Sequence, residues 1–409
     1  MNPPMIKFPI ALSLGLLSSL TVAIPQTQAA PQLRKIHSSA VPARAFRGQT
    51  MSIGDGSFAF AQEVTGAEGD RPVQRLGYIW YANQVRPIAM TNGKERITSF
   101  SIVGSQGNSA FLSASYQPAG ATTGSPQEAL FWTTGNRLQM LIGPGTLLPG
   151  GDRVKTFKTA EVGLKGIAFV AIGQSGKKGI YLVTRKGIER IVDQTTLIPG
   201  KNLTEFNISQ LSLSGKNVAF SGVFGSSSNR QGGIYAYRSG KLEQVVDAGN
   251  RVAVESRSPD ATITGNQVGL TGFPGQGLYE SAGVYIQSAS GKPLTTLANN
   301  KTVFPDRPEV PNSPVTSSSS NLCIAPTYSV FINENEGGRT MFVKTSAGLQ
   351  KVVSVGDRLD NKVVKDIHAS GRYCNSKQLG LAVEFQDEVA IYQVTPVLPA
   401  PPITLPPVP

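Results

Sequence analysis

The chain is poor in what most catalytic and membrane-embedded architectures require. It has two cysteines and two histidines in 409 residues. Paired CxxC motifs and HExxH are absent, which excludes a multi-cysteine zinc module and a zincin-type centre. GxSxG is absent too, and the GQSG at 173–176 lies between two strand-like segments, away from any strand-to-helix elbow. SGKN (214–217) and SGKP (290–293) lack the upstream glycine and the following Ser/Thr of a phosphate loop, so they read as hairpin turns. Charged residues make up only 16%, too few for long solvated helices. Acids are the scarcer sign, with 26 Asp+Glu against 38 Lys+Arg. The resulting +12 favours anionic partners, while no specific nucleic acid is expected.

Beyond the N-terminus no apolar run is long enough to cross a bilayer. The first residues, MNPPMIKFPIALSLGLLSSLTVAIPQTQAAP, carry Lys7, an apolar run from Phe8 to Ile24 and then small residues, the layout of a secretory signal peptide. The run is broken by Pro9 and several serines, and cleavage is expected after Ala29. The mature chain is then expected to be exported, periplasmic or extracellular, without a transmembrane segment. In such a compartment Cys323 and Cys374 can join as a disulfide.

What the chain has instead is glycine (44), proline (28) and an internal repeat. Short strands and tight turns follow from that composition. The segment GIAFVAIGQSGKKGIYLVTRKGIERIVD (166–193) is echoed by NVAFSGVFGSSSNRQGGIYAYRSGKLEQVVD (217–247). A small residue leading an aromatic or apolar strand recurs at Gly77, Ala129, Gly179, Gly233, Gly283, Thr340 and Val389, a period of about 50 residues, as in propeller blades. Each copy follows a second apolar strand (SFAFA from Ser57, IAFVA from Ile167), although the sixth is blurred between Leu322 and Ile332.

Most copies precede a strand ending in paired aliphatics, such as GIERIVD from Gly187 and KLEQVVD from Lys241. None follows Val389; QLRKIHS (32–38) carries the missing pattern at the other end of the chain. TFKTAEVGL from Thr156 and EFNISQLSLSG from Glu205 supply an inner strand. The expected fold is all-β: a propeller of seven four-stranded blades over 31–394, closed by the N-terminal strand completing the last blade. A repetitive sandwich or solenoid is the rival architecture. The tail TPVLPAPPITLPPVP (395–409) reads as an extended, disordered spacer or wall-associating segment, because proline fixes φ and removes donors.

GSFAF (56–60) and GNSAF (107–111) match the GxxAF part of a signature of NxxGxxAF type, while SGKNVAF (214–220) has one residue more and no copy has the leading Asn in place. On these motifs the chain resembles secreted bacterial tandem-repeat proteins. The resemblance implies a propeller of unknown biochemical role, sometimes surface-anchored, and brings no family active site.

In a four-stranded blade, the loops after strands two and four share one face and the other two turns share the opposite one. The first set reads as long and irregular: Ala61–Leu76, Ser115–Gln127, Phe224–Gly232, Thr195–Thr204 and Asn299–Ser320. That face is the first choice for ligand contact. The second set is short, and Lys165, Arg185, Lys186, Lys216, Arg238, Lys241 and Lys292 fall on it, a crescent suited to an anionic ligand.

His37 and His368 both fall in or beside the closing blade, yet two histidines alone do not make a metal site. Asp152, Asp193, Asp247 and Asp357 recur near the end of the fourth strand, a pattern of turn caps. No cofactor is expected, calcium at such carboxylates being the one ion to consider, although no DxDxDG-like spacing occurs. The sequons at Asn202 and Asn207 matter only in a glycosylating host.

The leading functional expectation is a non-enzymatic exported propeller, a binding or scaffold module for an anionic polysaccharide of the envelope or for another exported protein. A glycan or lactone hydrolase or lyase is the alternative, and a surface-layer or adhesion component the second.

Overall fold

The computed structural model describes residues 30–40, 51–54, 56–65, 72–118, 120, 125–163, 165–196, 206–224, 231–249, 260–272, 283–299, 302, 304, 322–335, 338–369 and 374–398. No helix occurs among them. Seven antiparallel sheets of four strands form, six of them meanders of consecutive strands and the seventh completed by the N-terminal strand. Blade 1 covers Met51–Pro87, blade 2 Glu95–Ile142, blade 3 Val154–Asp193, blade 4 Phe206–Gly249, blade 5 Asp260–Asn299 and blade 6 Cys323–Ser354. Blade 7 combines Asp366–His368, Leu379–Glu384 and Glu388–Thr395 with the N-terminal strand Gln32–Ala40. A two-stranded hairpin, Arg358–Leu359 with Lys362–Val363, joins blades 6 and 7. The inner strands of blades 1 to 6 touch in sequence, the third strand of blade 6 meets the inner strand of blade 7, and the inner strand of blade 1 meets the second strand of blade 7, so the chain is a seven-bladed β-propeller.

The repeated sequence acquires its meaning from period-two alternation. In strand 2 of blade 3, Phe169 and Ala171 face blade 2, packing with Leu130 and Ile142, while Ala168 and Val170 face blade 4. Strand 3 follows suit: Tyr181 points to blade 2, and Ile180 and Leu182 to blade 4. Phe169 and Tyr181 are register partners with rings 5.3 Å apart, as are Phe220 and Tyr235 (5.6 Å), Phe60 and Tyr78 (5.5 Å), and Phe331 and Phe342 (5.7 Å). Blades 3 and 4 thus present an aromatic face to their predecessor and a smaller aliphatic face to their successor. No blade has a core of its own; the apolar clusters lie between blades.

The paired aliphatics of strand 4 mark a bulge. Ile180 pairs with Val192 and Tyr181 with Arg190, so the intervening Ile191 joins Val192 in the same interblade cluster. Gly179 stands opposite, and a Cβ there would lie 2.9 Å from the Val192 carbonyl oxygen.

Three expectations need correction. The loop at Ala61–Leu76 is mostly strand: Glu63 pairs with Arg75 and Val64 with Gln74, because the alternation continues past the core and extends the ladder. Strands likewise run to Pro118 and Phe224 and resume at Gln127 and Gln231. The blurred stretch after Leu322 holds two strands, Cys323–Ile324 and Ser329–Asn335, joined by a tight turn. The inner strand here has shrunk to two residues, which removes the usual pattern.

The closing strand pairs from Gln32↔Thr395 to Ala40↔Glu388. It carries His37 against the rings of Phe60 and Tyr78 of blade 1, at 5.2 and 5.5 Å. Burial lowers the His37 pKa below its ordinary 6.5. The unfolded chain therefore takes up the proton first. This contribution to stability is complete above pH 6.5 and is lost as pH falls from there toward the depressed folded value. Between pH 7.5 and 5.5 the wild type is expected to lose more thermal stability than His37→Gln, measured by circular dichroism. Equal losses would show that His37 does not carry the effect.

Candidate functional site

The open edge of each blade is its first strand, and seven such edges surround the axis. Toward the short-turn face they enclose a cavity of about 530 Å³, lined by residues from all seven blades. The lining is small, apolar and hydroxyl-bearing, including Ser101, Ser105, Thr159, Ser212, Thr262 and Thr264, and among the described lining residues Glu161 is the only charged one.

The hydroxyls arise from strand geometry. An inner strand has no partner on its channel side, so its backbone groups need other partners. Ser105 Oγ donates to the Ser52 carbonyl (3.1 Å), the Ile263 amide donates to Ser212 Oγ (3.1 Å), and the Gly265 amide donates to Ser214 Oγ (2.9 Å). Between blades 7 and 1, Asn375 Nδ2 donates to the Gly54 carbonyl (3.0 Å). Between blades 6 and 7 the link is covalent: Cys323 and Cys374 are disulfide-bonded, Cα atoms 6.0 Å apart.

Exposed lysines adjoin the cavity mouth on blades 3, 4 and 7. Lys165 and Lys216 stand two positions beyond the lining residues Gly163 and Ser214, and Lys377 follows the lining residue Ser376. Arg185, Lys186, Lys241 and Lys292 are exposed on the outer turns of the same face. Lys377 escaped the sequence reading because blade 7 is the least regular repeat. Arg238 differs from its neighbours: only 5% exposed, it pairs through Nε with Glu243 (2.8 Å) and donates from Nη1 to the Asn266 carbonyl of blade 5 (2.6 Å). It fastens blades 4 and 5 and takes no part in the exposed crescent.

The long-loop segments at 66–71, 121–124, 197–205, 225–230 and 305–321 lie outside the described residues, as do residues 1–29, 399–409 and the sequon Asn202. Of the recurring aspartates, Asp193 accepts hydrogen bonds from the Thr195 amide (2.9 Å) and Thr195 Oγ1 (2.6 Å). Burial would raise its pKa, but those bonds and Arg190 hold it below the usual carboxylate range. Asp152 accepts from the Arg153 amide (2.8 Å) and Ser175 Oγ (2.5 Å), and Asp357 from the Ser354 amide (2.8 Å). These three are turn caps, while the side chain of Asp247 is outside the described set.

The two histidines share blade 7 but sit on its innermost and outermost strands. At the long-loop end of that blade, His368 Nε2 lies 3.4 Å from Asp366 Oδ2 and 3.6 Å from Glu384 Oε2. Arg339 of blade 6 reaches Asp366 Oδ2 at 3.1 Å and His368 Nδ1 at 3.4 Å. Burial lowers the His368 pKa, Asp366 opposing the effect and Arg339 adding to it. Glu384 is raised by burial and by the Asp366 charge. Nothing in the sequence marked Glu384, since strand register alone places it across from Asp366.

The fold and the channel define a propeller with a polar axial well. Among solved structures, the chain is similar to the β-propeller domain of the Trilobed protease from Pyrococcus furiosus, described as having an open velcro topology. That similarity has 10% identity and a TM-score of 0.50, over 85% of this chain and 93% of that one. It is also similar to a prolyl endopeptidase (12%, TM-score 0.47, 86% and 48%) and to the Dos1 propeller (9%, TM-score 0.41, 89% and 95%). The chain spans about half the length of the endopeptidase. At these identities the likeness is one of fold. No family model and no curated protein matches the chain.

Proposed function

We propose that the protein is an exported, non-enzymatic binding module that takes an anionic polysaccharide of the cell envelope on its short-turn face. The observation that carries this reading is the hydroxyl-lined well rimmed by Lys165, Lys216 and Lys377. The lysines attract a polyanion at long range, and the hydroxyls below them can exchange hydrogen bonds with sugar hydroxyls. Export is supported by the Cys323–Cys374 disulfide. No helix of the described residues is long and apolar enough to cross a membrane.

The hydrolase reading finds less support. Glycoside cleavage uses two carboxylates flanking the scissile bond, and among its described residues the well offers Glu161 alone. The adhesion reading rests on the C-terminal tail, most of which lies outside the described residues.

The test is titration of the mature protein with alginate or hyaluronate by calorimetry at two salt concentrations. Binding is expected to weaken at least about tenfold between 50 and 300 mM salt, and similarly in Lys165→Glu/Lys216→Glu/Lys377→Glu, because the contribution is screened charge. Affinity unchanged in the triple variant would refute this surface. Capture of an exported protein with no polysaccharide binding would transfer the role to a protein partner.

A further inference from the structure

The three groups around His368 have the arrangement of a metal centre. Asp366 and His368 are two apart on one short strand, so their side chains leave the same face. Glu384 is the direct register partner of Asp366 on the neighbouring strand. Two carboxylates directly opposed across strands repel each other, which disfavours the pairing unless a cation lies between them. All three ligand atoms fall within 4.8 Å of one another. A tetrahedral ion with bonds of about 2.1 Å requires ligand atoms about 3.4 Å apart. The separations from His368 Nε2, 3.4 Å to Asp366 Oδ2 and 3.6 Å to Glu384 Oε2, match that edge.

We propose that Asp366, His368 and Glu384 form a binding site for a divalent transition metal, with zinc as its occupant. One imidazole and two carboxylates are a borderline-hard set suited to zinc, manganese or ferrous iron, of which zinc binds most tightly by the usual order. The ligands stand on paired strands, which hold them more firmly than loops do. Asp366 is one-third exposed, so solvent reaches the centre and can fill the fourth position.

Arg339 is the competing cation. A guanidinium only donates, so its contact at 3.4 Å makes His368 Nδ1 an acceptor and leaves the ring proton on Nε2, toward the carboxylates. Metal on Nε2 requires the other tautomer, with the proton on Nδ1. Arg339 must then release the ring, and Glu334 Oε2, 3.6 Å from its Nε, is there to hold it. The net charge of the ring does not change. Removing Arg339 should therefore tighten metal binding, an effect that adventitious binding by carboxylates remote from Arg339 would not show.

The experiment is zinc titration of the chelator-treated, desalted mature protein, read by competition with a zinc indicator. Cobalt absorption reports the coordination geometry. The expected result is one site per chain, weakened at least about tenfold in His368→Gln and in Glu384→Gln, and tightened severalfold in Arg339→Met. Circular dichroism confirms that each variant is folded, and the gain in Arg339→Met keeps the test decisive if a ligand variant unfolds. Absence of saturable zinc binding below about 100 μM in the wild type would overturn the proposal. So would wild-type affinity in either ligand variant, or weaker binding in Arg339→Met.

Discussion

Replacing both cysteines with alanine is expected to lower the stability of the protein by about 4 kcal/mol, the loop-closure entropy of a cross-link spanning about 50 residues. The expectation rests on where the bond lies as well as on its span of 51 positions. The inner strands of blades 2 and 3 run to 12 and 10 residues, but those of blades 6 and 7 have only 2 and 3. Few interblade hydrogen bonds can form along such short edges. Cys323 and Cys374, 6% and 3% exposed, connect the two blades at that point. Blade 7 is also the blade assembled from both ends of the chain, so its outer edge depends on noncovalent pairing with Gln32–Ala40. Urea unfolding of Cys323→Ala/Cys374→Ala, and of the wild type with and without reductant, measures the effect. A loss below about 1 kcal/mol in both comparisons would mean that packing closes the ring without the bond.

Phe169→Ala should be nearly as damaging, by about 3–5 kcal/mol. The ring is fully buried, 5.3 Å from Tyr181 and 6.5 Å from Phe157, and packs on Leu130 of blade 2. Because this contact joins two blades, Phe169→Ala and Leu130→Ala should be non-additive, with a coupling above about 0.5 kcal/mol. Strict additivity in the double variant would show that the two blades are stabilised independently, contrary to the interblade core. The same logic applies at Phe220, whose ring faces Tyr235 within its blade and packs on blade 3.

These two sites show how much of the protein is legible in its amino-acid order. The spacing of GIYLV and GIYAY, the alternation within IAFVA, and the strand pattern stranded at Gln32–Ser38 determine the blade, the count of blades and the means of closure. Each reports a local rule: period-two alternation, hairpin chemistry, or an apolar face that only another blade can cover. The Cys323–Cys374 separation of 51 positions, close to one period, likewise assigns the two thiols to neighbouring blades. Where the strands shorten, around Leu322–Ile332, the pattern weakens because fewer residues express it.

The sites were decided by tertiary structure. Arg238 reads as one more turn cation, and only packing against Gln287 and Glu243 shows it buried. The well on the axis is built from seven segments, six of which contribute one or two unremarkable serines or threonines. Asp366, His368, Glu384 and Arg339 come from three strands of two blades, and the register between those strands brings them together. Sequence periodicity specifies which face a residue occupies, because alternation is a property of neighbouring residues. Which faces meet, and at what distance, depends on ring closure and strand register, which are properties of the whole chain.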